Sequence, residues 1–243
     1  MAKVKVASLN SLNPPKSKKE LFERLRVILT HGWYEMPTDV ARYNGSGGPG
    51  NYIEDLLGLN CGNQDIPDSA GWEIKYYTDQ TNLITLFHKE PQPEGIMRHM
   101  VSRHGWADEQ GRKSFRHTIQ GRSDRFEIDI QDNRVTVRPR KGNGPVPHWS
   151  HDVLLNIAGG KLRRLILVKG EKDGRKVRYT VADCFQDMQI SFFIYELAQG
   201  TIAVDFDARE SSPGSNGLRN HGTKFRVAPS NVCRLYCKKE RFS

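Results

Sequence analysis

Residues 67–75, Pro67-Asp68-Ser69-Ala70-Gly71-Trp72-Glu73-Ile74-Lys75 ("PDSAGWEIK"), set two acids and a lysine around a turn and the start of a strand. In an extended chain alternate side chains share a face, so Glu73 and Lys75 project together while Ile74 points into a core. Asp68 precedes Glu73 across Ser69-Ala70-Gly71, a segment able to turn tightly and bring the two carboxylates side by side. Residues 51–75 hold five acids (Glu54, Asp55, Asp65, Asp68, Glu73) against one base, Lys75. Like charges gathered in this way repel, and a divalent cation is the commonest reason for them to coexist. The plain alternative is a solvated strand that alternates Glu and Lys, because D-x4-E-x-K spacing also arises by chance.

Around this acidic island the chain is basic. Its 243 residues hold 37 Lys and Arg against 28 Asp and Glu, a formal net charge of +9. Residues 98–141 contain eleven bases and six acids, and residues 209–243 contain eight bases and two acids. Basic flanks around a negative centre suit a polyanion gripped from outside and a cation held within. The length fits one large domain or two lobes sharing a core. No run of about 18 apolar residues is present to span a membrane, and "MAKVKVASLN" lacks an apolar signal core, which predicts a cytoplasmic protein. Cys61, Cys184, Cys233 and Cys237 are expected to be reduced and mostly packed, since "CRLYC" has no second pair to complete a zinc site.

Patterning predicts mixed strands and helices, hence an α/β fold. Residues 1–16 read as a loose arm, and Ser17-Lys18-Lys19-Glu20 has capping-box spacing before a helix burying Leu21, Leu25, Ile28 and Leu29. The glycine-rich stretch 43–51 predicts a loop, with a short helix just after it. "GWEIKYY" and "NLITLFHK" read as neighbouring strands joined by a polar turn. Residues 94–104 read as helix, 125–139 as a hairpin turning at Asp132-Asn133, and 141–151 as a second loop. "RRLILVKG", "KVRYTVAD" and "TIAVDFDA" are expected strands, with an amphipathic helix over 186–199. A flexible link then leads into "HGTKFRVAP", a last strand before a basic tail.

For chemistry, the carboxylates of Asp68 and Glu73 and the Ile74 carbonyl suit an octahedral Mg2+. Lys75 is placed to orient or deprotonate an attacking water, and Glu54 to hold a metal-bound water. "HWSH" (148–151) spaces two histidines like metal ligands but lacks a third nearby. "GSGGPG" lacks the Gly-Lys-Ser/Thr ending of a phosphate-binding loop.

"GPGNYIEDLLG", "PDSAGWEIK", "NLITLFHKEP" and "HGTKFRV" follow one another in this order. Together they resemble the MvaI/BcnI family of type II restriction endonucleases, relatives of the MutH nickase within the PD-(D/E)xK nuclease superfamily. The resemblance runs from about residue 20 to residue 236. It implies a restriction endonuclease-like core, a mixed β-sheet flanked by helices, plus a DNA-recognition lobe, the two forming a cleft around duplex DNA. The corresponding division is an arm at 1–16 and a two-lobed nuclease at 17–243. Its catalytic core would include about 17–92 and 160–205, with recognition elements at about 93–150 and 206–236. The resemblance further implies Asp68, Glu73 and Lys75 as the catalytic set, with Glu54 as the helix-borne acid and Mg2+ as cofactor. His88, His221, Lys224 and Arg226 would contact DNA, Arg226 at base edges, with Arg209 and Arg219 on the approach; phosphate contact is the alternative for Arg226. The implied enzyme is a monomer cutting one strand at a time, its host protected by a cognate methyltransferase. A MutH-like strand-specific nickase and an inactive DNA-binding module are the alternatives.

Overall fold

The computed structural model describes residues 13–59 and 71–242, so the expectations for most of the N-terminal arm, for Cys61 and for Asp68 lie outside the described residues. In chain order the elements are α1 (Lys18–Thr30), β1 (Trp33–Glu35), α2 (Gly48–Leu57), β2 (Glu73–Tyr77), β3 (Ile84–His88), α3 (Ile96–His104) and β4 (Trp106–Ala107). Next come β5 (Lys113–Gln120), β6 (Phe126–Gln131), β7 (Arg134–Pro139), β8 (His148–Ser150), α4 (His151–Lys161), β9 (Arg164–Asp173) and β10 (Lys176–Met188). The chain finishes with α5 (Ile190–Ala198), β11 (Ile202–Glu210), β12 (Leu218–Asn220), β13 (Lys224–Val227) and β14 (Tyr236–Phe242). Two compact units result: Met1–Ile84 with Gly159–Met188 and Tyr236–Ser243, and Thr85–Ala158 with Gln189–Leu235.

The first unit is a mixed sheet in the order β1-β10-β9-β2, in which β14 also pairs β10. β9 and β10 run antiparallel, whereas β2 runs parallel to β9 with Glu73 opposite Leu165 and Lys75 opposite Leu167. Helix α1 starts as its sequence dictates: the Ser17 hydroxyl accepts from the Glu20 amide at 3.2 Å. The returning Glu20 carboxylate takes the Lys16 amide at 2.9 Å, one residue earlier than the ideal capping box. Leu21, Leu25 and Ile28 of α1 and Ile53 and Leu57 of α2 pack with Trp72, Ile74, Ile166 and Val168 of the sheet. Each such side chain contributes about 1.5–3 kcal/mol by leaving water.

Helix α2 begins at Gly48, so the end of the expected glycine-rich loop is helical. A proline in the first turn favours this start, and a Cβ at residue 48 would lie 2.0 Å from the Tyr43 carbonyl oxygen, so only glycine fits.

In the second unit a six-stranded sheet runs β3-β13-β11-β5-β4, with β12 also paired to β11, beside a three-stranded sheet β6-β7-β8. The expected hairpin forms, Gln131 pairing with Arg134 across the turn. Phe87, Phe115, Phe126, Phe193, Phe206, Phe225 and Trp149 are buried within this unit.

Several local expectations change. β2 and β3 are both strands but not neighbours: β2 takes β9 as its partner, and β3 takes β13. A polar turn between strands permits a hairpin without enforcing one, and each strand here pairs with a partner distant in sequence. The predicted loop over 141–151 ends as β8, which pairs β7. Helix α4 was not anticipated, because Gly159-Gly160 reads as a breaker. β10 runs on to Met188, so α5 starts at Ile190 rather than at 186. The basic tail is itself a strand, β14, with Cys184 opposite Glu240. Of the described cysteines only Cys184 is buried; Cys233 and Cys237 are exposed, and all three are free thiols.

Candidate active site and nucleic-acid interface

β2 delivers Glu73 and Lys75 to one face of the first unit's sheet and Ile74 to the other, where it joins the apolar core. Glu73 is only 1% exposed, unusual for a carboxylate. Lys75 Nζ lies 2.5 Å from its Oε1, and a second ammonium, Lys161 Nζ at the end of α4, lies 3.7 Å from the same oxygen. A buried carboxylate needs such company, since an unpaired charge away from water costs several kcal/mol. Tyr236 is close as well. Burial, and then the Glu73 charge, push its phenol pKa far upward, so the hydroxyl keeps its proton and donates to the Leu162 carbonyl at 2.7 Å.

Lys161 is the residue that sequence reasoning missed. It stands 88 positions from Glu73 (161 minus 73) and follows a Gly-Gly pair, with no local pattern to mark it.

Glu54 sits on α2, where Arg42 clips two consecutive acids: Nη2 lies 3.2 Å from Glu54 Oε2 and Nη1 3.2 Å from Asp55 Oδ1. The Tyr43 hydroxyl donates to Asp55 Oδ2 at 2.5 Å. Burial and this carboxylate hold the Tyr43 pKa above its ordinary value. Among the described residues no three His, Cys, Asp or Glu side chains gather in metal-binding proximity. The donor set expected for a metal includes Asp68, which lies outside them.

In the second unit, alternation along β11 separates two surfaces. Val204, Phe206 and Ala208 point into the core, while Ala203, Asp205, Asp207 and Arg209 face the other way. Register then extends that polar face: Asp205 stands opposite Lys224 and Thr118, Ala203 opposite Arg226, Asp207 opposite Arg116, and Arg209 opposite Arg219. Four of the six expected DNA contacts, Arg209, Arg219, Lys224 and Arg226, therefore share one sheet face.

Two aspartates order the cations on that face. Arg226 Nη1 donates to Asp205 Oδ2 at 3.1 Å, and the Thr118 hydroxyl donates to Asp205 Oδ1 at 2.7 Å. Arg116 Nε and Lys224 Nζ lie 3.3 and 3.6 Å from the two Asp207 oxygens. Five cations against two carboxylates leave the face positive. The alternation in "IAVDFDARE" was the available signal for Asp205 and Asp207.

The remaining two candidates, His88 and His221, are exposed at the end of β3 and in the turn after β12. The His221 amide donates to the Asp207 carbonyl at 2.8 Å. A Cβ on the next residue, Gly222, would lie 3.2 Å from His88 Cδ2, so the turn and the His88 ring are close neighbours.

No curated protein sequence matches the chain significantly. Solved structures do. A restriction endonuclease MvaI–cognate DNA substrate complex is 25% identical, with a TM-score of 0.74, covering 94% of this chain and 99% of that one. MvaI in the absence of DNA is 24% identical, with a TM-score of 0.57 over 96% of this chain and all of that one. The profile of the MvaI/BcnI restriction endonuclease family matches residues 22–236, a span that includes β2 with its buried Glu73 as well as the charged face of β11 and β13, and the chain belongs to that family.

Proposed function

We propose that the protein is a type II restriction endonuclease that hydrolyses double-stranded DNA with Mg2+ at a short specific sequence, acting as a monomer that nicks one strand at a time. The observation that carries this reading is the buried Glu73 carboxylate with two ammonium groups on one oxygen, in a member of this family.

The residues fit the cation. A hard carboxylate at the start of β2, with the Ile74 carbonyl beside it and Asp68 a few residues before, is the donor chemistry that Mg2+ prefers. Mg2+, when bound, supplies Lewis-acid stabilisation of the negative charge that develops on the phosphate oxygens. Glu73, with Asp68, would hold the cation, and Glu54 would orient a water on it. Lys75 Nζ donates to and orients the attacking water, whose proton passes to solvent as the water oxygen bonds to phosphorus, the bond to the 3′ oxygen breaks and that oxygen takes a proton from solvent. The products are a 5′-phosphate and a 3′-hydroxyl. Lys161 keeps the Glu73 carboxylate countered while Lys75 turns to the water. A single set of these residues serves one strand per encounter, which supports the nicking mode. The restriction endonuclease-like core is thus assigned to the first unit and the DNA reading to the charged face of the second.

Supercoiled plasmid incubated with protein and Mg2+ is expected to pass through open circles to linear molecules whose sequenced ends share one short motif. Arrest at open circles would favour a MutH-like nickase, and intact plasmid would favour a binding module. Arg226→Ala is expected to weaken binding of the motif-bearing duplex by about 1–3 kcal/mol while leaving scrambled duplex nearly unchanged, as a guanine contact requires. An equal loss on all sequences, read by titration in Ca2+, would reassign Arg226 to phosphate.

A further inference from the structure

Glu90 follows β3 and belongs to none of the sites above, yet it holds the turn that bears His221. Its Oε2 accepts from Asn220 Nδ2 and its Oε1 from the Thr223 backbone amide, both at 2.7 Å. The Asn220 side chain in turn accepts the Gly222 amide on Oδ1 at 3.0 Å. Next to Glu90, the Lys89 amide donates to the Thr223 carbonyl at 2.9 Å, and Trp149 Nε1 donates to the Lys89 carbonyl at 3.0 Å. The turn itself needs its glycine: Gly222 has φ +87°, and a Cβ there would crowd the His88 ring and lie 3.6 Å from Glu90 Oε1. One carboxylate therefore spans both ends of His221-Gly222-Thr223 and fixes that turn to the segment bearing His88.

We propose that Glu90 is a positioning residue for base recognition, clamping the turn 221–223 beside His88 so that the two imidazoles meet the duplex in one geometry; this rests on the DNA-cleaving reading above. Short hydrogen bonds to an ionised acceptor are about twice as strong as neutral ones, which suits a clamp that must survive the desolvation of DNA binding. Backbone amides held in this way lose little further freedom on binding, so the clamp acts on affinity for the correct sequence rather than on attraction to phosphate.

The donor and acceptor pattern can be inverted without changing net charge. Glu90→Gln alone sets two amide groups against each other. Asn220→Asp alone sets two carboxylates against each other. Together they restore every bond. The amide introduced at position 90 would donate to the carboxylate introduced at position 220 and accept from Thr223, and that carboxylate would still accept from Gly222. The wild type is first offered a pool of duplexes with a randomised central segment in Ca2+, and the enriched sequence is compared with a scrambled duplex by titration. Each single variant is expected to lower the ratio of enriched to scrambled affinity about 10-fold, and the double variant to bring it back to near wild type. A merely structural role would lower thermal stability and leave that ratio unmoved. Wild-type enrichment with unchanged single variants, or a double variant no better than the singles, overturns the role of Glu90 alone. A wild type that enriches no sequence overturns the DNA-reading function and the clamp's purpose with it.

Discussion

Lys75→Ala is expected to lower the rate of plasmid cleavage about 10^2–10^3-fold while sequence-specific binding in Ca2+ persists. Removing a charged group that positions the nucleophile and stabilises developing negative charge typically costs about 10^2–10^3 in rate, roughly 3–4 kcal/mol of barrier. The fold should tolerate the change. Glu73 would keep Lys161 on its Oε1, so its buried charge would retain a partner. Lys75 is itself partly open to solvent, at 23% side-chain exposure, whereas Lys161 is at 11%, consistent with one lysine facing substrate and the other serving the carboxylate. The measurement is a single-turnover cleavage assay paired with a binding titration. Loss of specific binding together with cleavage would make Lys75 a structural lysine and remove it from the catalytic set.

Trp72→Ala is expected to destabilise the protein by about 3–5 kcal/mol, the usual cost of emptying a fully enclosed large aromatic site. Trp72 is completely buried directly before Glu73. Its ring meets Phe22 edge-on at 5.3 Å, and Phe22 in turn meets Phe242 of β14 at 4.9 Å, so one side chain ties α1, β2 and β14 together. The Lys18 ammonium and Arg164 guanidinium lie 5.7 and 5.9 Å from the same indole and add cation–π attraction. Its indole N–H finds no acceptor among the described residues. Trp72→Phe therefore forfeits volume but no hydrogen bond to a described residue and should cost about 1–3 kcal/mol. Differential scanning calorimetry should find Tm lower by roughly 6–20 °C for the alanine variant and by much less for phenylalanine. Equal, small shifts for both would mean that this core collapses around the gap and that β2 is anchored elsewhere.

The two sites were legible to different degrees. Alternation in Glu73-Ile74-Lys75 was enough to put the acid and the lysine on one face, because side-chain direction in a strand follows from the backbone alone. The same rule, applied to "IAVDFDARE", would have exposed Asp205 and Asp207 as the acids that order Arg226 and Lys224. The depth of Glu73 was not legible. A glutamate between a tryptophan and an isoleucine reads as the wet side of a strand, yet here both faces of the strand's start are covered.

By itself the sequence determined what is local: the Ser17 cap, the turn at Asp132-Asn133, the face on which each strand residue lies, and the family to which the ordered motifs point. Only the tertiary structure decided partners. It paired β2 with β9 rather than β3, turned the basic tail into β14, and brought Lys161 to Glu73 and Glu90 to Asn220. The physical reason is that periodicity specifies which way a side chain points, whereas the identity of its neighbour depends on which distant surface buries it best.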